Sequence, residues 1–68
     1  MEFVETPDSS NIRRFGYDGS HLVVDFRSGG TWEYDAPRKV FEEMKKAKSA
    51  GTFLHAQVKN KYAGRKRD

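Results

Sequence analysis

The sequence predicts an α+β fold: a three-stranded antiparallel β-meander followed by two α-helices packed on one face of the sheet. Three observations carry this. The glycine-bearing turn signals Asp18-Gly19 and Ser28-Gly29-Gly30 punctuate the first half at hairpin spacing. Around them apolar and polar residues alternate, which is the period of a half-buried strand. In the second half apolar residues recur every three to four positions behind capping residues, which is the period of an amphipathic helix.

The first hairpin is read at Asp18-Gly19, because a type I′ turn needs positive φ at both central positions. That turn pairs Tyr17 with Ser20 and Phe15 with Leu22. Phe15, Leu22, Val24 and Phe26 then share the face toward the core. Arg14, His21, Val23, Asp25 and Arg27 fall on the opposite, mostly polar face. The second hairpin turns at Ser28-Gly29-Gly30. A two-residue turn would place Trp32 and Tyr34 among polar neighbours. A three-residue turn, with Gly30 in the left-handed conformation, places them opposite Phe26 and Val24.

Energetics favour the three-residue turn. Each ring hides roughly 150–250 Å² when buried. At about 25 cal/mol per Å², the two rings contribute roughly 7–12 kcal/mol before entropy, as an upper bound. A small domain of about 3–5 kcal/mol net stability would hardly leave both in water.

Helices are expected next. Asp35 is placed to cap the first, Pro37 suits its first turn, and Val40, Phe41, Met44 and Ala47 form its buried stripe. Glu42 precedes Lys46 by four residues, a spacing that supports a solvent-face ion pair. Ser49 reads as the cap of the second helix, with Phe53, Leu54, Val58 and Tyr62 as its stripe. Gly51 sits in its first turn, where a glycine permits close approach of another element. Gly64 ends that helix, and residues 63–68 read as a frayed basic tail.

At 68 residues the chain is one domain, with its core expected over about residues 9–62. It has no cysteine, which excludes disulfide staples and thiolate zinc sites. No apolar run approaches the roughly 18 residues of a membrane span, and the acidic start "MEFVETPDSS" is unlike a signal peptide. The expectation is a soluble cytoplasmic protein. Charge is unevenly placed. Residues 1–36 carry three basic and seven acidic side chains, a balance of −4, and residues 37–68 carry ten basic and three acidic, a balance of +7. A basic face of this kind suits phosphates or an acidic partner.

The ordered set Ser9-Ser10-Asn11-Ile12, Gly16-Tyr17-Asp18, Gly29-Gly30-Thr31-Trp32-Glu33-Tyr34, Ala36-Pro37, Ser49-x-Gly51-x-Phe53 and Tyr62 resembles the KTSC domain. The resemblance runs from about Ser9 to Tyr62. That family is named for the C-terminal extension of some lysyl-tRNA synthetases and also occurs as small stand-alone bacterial and phage proteins. Gly16, Tyr17, Gly30, Trp32, Tyr34, Ser49, Gly51, Phe53 and Tyr62 are its structural motif positions here. Two departures stand out. Trp32 replaces the tyrosine that usually begins the aromatic-x-aromatic motif, and the loop at Asp18-Gly19 looks short. The resemblance implies no established activity, and a link to RNA only by context.

The candidate binding residues are Lys48, Lys59, Lys61, Arg65, Lys66 and Arg67, which have no evident acidic partner in sequence apart from Asp68. They would contact phosphate oxygens of RNA or DNA. Trp32 and Tyr34 are read as core in preference to a base-stacking platform, with Trp32 allowed partial exposure near the sheet edge. His21 and His55 lack a second ligand at metal spacing, so no metal or cofactor is expected. Asp25 and Glu33 read as rungs of a charge ladder with Arg14 and Arg27, not as an acid–base pair. Ser9 and Ser10 suit backbone capping and have no histidine beside them to activate a nucleophile. The reading is a non-enzymatic accessory module that binds nucleic acid through its C-terminal basic region. The alternative is a protein-interaction module, a phage or bacterial adaptor docking through the sheet surface or an edge strand.

Overall fold

The computed structural model describes residues 2–7 and 9–67. It is α+β, with an antiparallel sheet and two helical segments. The sheet has five strands, not three: β1 (Glu2–Glu5), β2 (Ile12–Tyr17), β3 (Leu22–Phe26), β4 (Thr31–Tyr34) and β5 (Gly64–Lys66), paired in chain order. The added strands form the two edges. Both are short, β5 is exposed throughout and β1 has only the adjacent pair Phe3-Val4 half-buried, so neither carries the apolar alternation by which a strand is recognised.

The central hairpins are as expected in face and two residues away in register. Tyr17 pairs with Leu22 and Phe15 with Val24, across a loop of four residues instead of two. The Asp18 carboxylate explains the longer loop. Its Oδ1 accepts the backbone N–H groups of Ser20 at 2.8 Å and His21 at 2.6 Å, which holds the chain open. Gly19 alone takes positive φ there. In the second hairpin Val24 pairs with Trp32 and Leu22 with Tyr34, and the Phe26 N–H donates to the Gly30 carbonyl. A slip of two residues keeps every side chain on its face, because the strand period is two. Between Ile12 and Arg14 the register steps past Arg13, a bulge that lets Ile12 join Phe15 in the core.

The first helix, α1 (Arg38–Lys46), buries Val40, Phe41 and Met44. Phe41 meets Phe15 edge-on at 5.8 Å and stacks on Tyr17 at 6.0 Å, which seats the helix on the sheet. Asp35 does not cap it. Pro37 occupies the cap position without a side-chain bond, and the Asp35 carboxylate is engaged by Arg65. Glu42 pairs with Lys45 and Arg38 instead of Lys46.

The second helical segment begins as expected at Ser49, whose Oγ accepts the Thr52 N–H at 3.2 Å. It is α-helical over Ala50–Phe53, here called α2, and widens into a π-helical turn over Leu54–Val58, closed by the Lys59 N–H on the Leu54 carbonyl. Leu54 and Val58 are buried. The segment stops at Val58, so Tyr62 lies beyond the helix and Gly64 opens β5 instead of ending it. A Cβ on Gly51 would meet nothing within 4 Å, so close approach does not explain that glycine.

Candidate functional site

The strand alternation sorts the C-terminal charges onto two faces of the sheet. Glu33 and Asp35 project from β4 and its end onto the face away from the helices. Arg65 lies opposite Glu33, and its guanidinium donates to Glu33 at 3.0 Å and to Asp35 at 3.0 Å. Arg67 approaches Glu33 and Asp18, each at 3.5 Å. His21 sits among these groups, with Nε2 3.5 Å from both Glu33 and Asp35 and 3.2 Å from the Arg65 guanidinium. Asp35, then Glu33, raise the Arg65 pKa above its ordinary value. Burial acts to raise the Asp18 carboxyl, but the N–H groups of Ser20 and His21 and the charges of His21 and Arg67 outweigh it and hold the group below its usual range.

The expectation that Arg65 and Arg67 lack carboxylate partners is therefore corrected. Residues 64–66 are a strand, not a frayed tail, and pairing with β4 brings the arginines over its acidic residues. Asp68, the partner suggested by sequence, lies outside the described residues. The ladder reading of this face holds for Arg14, 3.5 Å from Asp25. It does not hold for Arg27, which donates to the carbonyls of Ser9, Thr6 and Pro7 in the N-terminal loop. Ser9 supports that loop as expected by accepting the Ile12 N–H at 3.0 Å.

A second charged cluster ties β1 to α1. Arg38 donates to Glu2 at 2.6 Å, and Lys45 lies 2.9 Å from Glu42 and 3.4 Å from Glu2. The Arg38 hydrogen bond, reinforced by Lys45, lowers the Glu2 pKa.

The four candidate lysines make no ion pair among the described residues. Lys66 pairs with Trp32 across β4 and β5, so it shares the helix-side face with the indole. The Lys59 ammonium stands 5.4 Å over the Phe26 ring. Lys61, in the same turn as Lys59, donates to Gln57 at 3.0 Å. Lys48, at the junction of α1 and α2, lines a separate pocket that includes Gln57, the residue Lys61 bonds.

Lys59 also lines a cavity of about 490 Å³ on this face. Its wall is aromatic: Phe26, Trp32, Tyr34 and Tyr62. Asn11, Ser28, Gly29 and Gly64 complete it, and none of its described lining residues is acidic. Tyr34 is core, 5% exposed, and burial pushes its phenol above the ordinary range, so it stays neutral at physiological pH. Trp32 is half-buried. Its Nε1–H donates to the Gly29 carbonyl at 3.1 Å, which fixes the indole at the mouth of the hairpin loop. Gly64 leaves room for the Tyr34 ring, since a Cβ there would fall on it.

Of the sequence candidates, the structure thus gathers Lys59 and Lys66 beside the aromatic cavity, while Lys61, in the same turn as Lys59, bonds to Gln57. Arg65 and Arg67 are carried to the opposite face. Sequence reasoning missed Asn11, Ser28 and Phe26 as neighbours of that site. One signal was available: Arg65 and Arg67 alternate with the same period as Glu33 and Asp35, as paired strands of opposite charge do. Among the described residues no group of three or more His, Asp or Glu could hold a metal ion. Among the described residues no helix is long and apolar enough to cross a membrane.

The family model of the KTSC domain matches residues 8–62. The fold is similar to the crystal structure of a KTSC domain protein from Yersinia pestis, with a TM-score of 0.81 and 31% sequence identity. The likeness covers 98% of this chain and 100% of that one. No curated protein shows a match to the chain.

Proposed function

The chain belongs to the KTSC domain family, and on that premise we propose that it is a non-enzymatic module that binds nucleic acid weakly and without sequence preference. The carrying observation is the segregation of charge. Arg65 and Arg67 face carboxylates on the outer face of the sheet, while Lys59, Lys61 and Lys66 carry no carboxylate partner among the described residues, and Lys59 and Lys66 stand on the side of the aromatic cavity. Ammonium groups without a local counter-charge are the ones that exchange condensed counterions for phosphates. The family's association with a tRNA synthetase adds context of the same kind.

A binding titration across several salt concentrations tests this. Three engaged phosphates give a slope of log affinity against log salt near about −3 for duplex and about −2 for a single strand. Absence of binding at the lowest salt would overturn the reading. Recovery of one stoichiometric protein partner after nuclease treatment, with no oligonucleotide bound, would replace it by docking through the sheet surface or an edge strand.

A further inference from the structure

The geometry points to a seat for a single unstacked nucleobase in the cavity walled by Phe26, Trp32 and Tyr62. This rests on the nucleic-acid reading and goes beyond it, since phosphate contact alone needs no aromatic surface. Three features select the occupant. The cavity, at about 490 Å³, lies within the roughly 300–1,000 Å³ of small-ligand sites. Trp32 and Tyr62, its partly exposed aromatic side chains, are of the kind on which any base stacks regardless of sequence. Its described lining has no carboxylate, and Lys59 on the rim together with Lys66 beside Trp32 leaves the site complementary to a planar group attached to an anion.

The platform is also held in place before any ligand arrives. The indole is bonded to the Gly29 carbonyl and packed against the buried core, and it lies opposite Val24 in the strand register. A side chain already fixed loses little freedom on binding. The main chain of Asn11, which lines the same cavity, is fixed as well: its N–H donates to Ser9 Oγ at 3.3 Å and its carbonyl accepts from Arg27 at 3.0 Å. The amide of Asn11 and the hydroxyl of Ser28 supply hydrogen-bonding groups for a base edge in single-stranded nucleic acid.

Trp32 is the sole tryptophan, so its fluorescence reports this site alone. The experiment titrates the intact protein, at low salt, with a short single-stranded adenylate oligomer and with an abasic oligomer of equal length and charge. The expected result is quenching of Trp32 emission by the base-bearing strand only, with binding roughly five- to a hundredfold tighter than to the abasic strand. Tyr62→Leu should narrow that difference, and a difference of full size in that variant would overturn the seat. Equal binding of the two strands with unaltered emission overturns the base seat and leaves the phosphate reading standing. Tighter binding of the base-bearing strand without any change in emission places the base elsewhere and also overturns the seat. Failure of both strands to bind removes both inferences.

Discussion

The ring of Tyr34 lies against the bare Cα of Gly64, its partner across β4 and β5. At the other edge Phe3 of β1 lies against Gly16 of β2, where an added Cβ would meet the Glu2 carbonyl first and the Phe3 ring next. In each pair the glycine has no side chain to pack, and the aromatic ring fills the space left by it. A Cβ at Gly64 would fall on the Cδ1 and Cε1 atoms of Tyr34, a core side chain with little room to withdraw. Gly64→Ala is therefore expected to destabilise the protein by about 1–3 kcal/mol, the usual cost of overpacking. Urea unfolding followed by circular dichroism measures it. An unchanged midpoint would show that the ring is not held against the strand.

Gly51 predicts the opposite sign. It lies in the first turn of α2 with open space where a Cβ would go, and its φ is not positive. Nothing in the fold requires glycine there, and glycine costs a helix about 0.5–1 kcal/mol relative to alanine. Gly51→Ala should raise the urea midpoint by a corresponding amount without altering the slope of the transition. A fall in the midpoint would mean that the glycine serves a contact absent from this structure.

Acid stability should depend on Asp18. Its folded pKa is lowered below the unfolded value of about 3.9, because the backbone N–H groups of Ser20 and His21 and the charges of His21 and Arg67 favour the carboxylate. A lowered carboxyl pKa means that the unfolded state binds the proton more readily. The contribution of Asp18 is thus complete above the unfolded pKa and is lost as pH falls through the folded one. Asp18→Asn keeps an oxygen for the two N–H groups and removes the charge. The variant should be less stable than the parent at neutral pH, and the gap should close below about pH 4. Urea midpoints taken along a pH series check this, and a gap that stays constant throughout would contradict it.

The central part of the fold was legible because burial there is one-sided and periodic. Phe15, Leu22, Val24 and Phe26 state their face by alternation, Ser49 states a cap, and Gly29-Gly30 state a turn. Register was less legible. The extra loop residues depend on what the Asp18 carboxylate accepts, and alternation cannot see a slip of two. The edge strands were not legible at all. "GRK" and "EFVE" gain their order from long-range partners: Tyr34 and Glu33 for the first, Gly16 and Arg38 for the second. The candidate site inherits that blind spot. Reading residues 63–68 as a tail made all of their charges look equivalent, whereas strand pairing divides them between two faces.

That division gives a test in which two neighbours of equal charge behave differently. Arg65 bonds to Glu33 and Asp35 on the outer face, and Lys66 lies beside Trp32 on the other. Arg65→Gln removes a charge that holds β5 to β4, leaving Glu33 with fewer donors. Its expected effect is a lower urea midpoint with little change in oligonucleotide binding. Lys66→Gln removes a charge that has no carboxylate partner among the described residues. Its expected effect is weaker binding, with the single-strand salt slope shallower by about 0.7, and an unchanged midpoint. Measuring both variants by urea unfolding and by salt-dependent titration separates the roles, because net charge falls equally in each. Equal losses of affinity would mean that binding follows net charge, and the two-faced arrangement would then have no part in it.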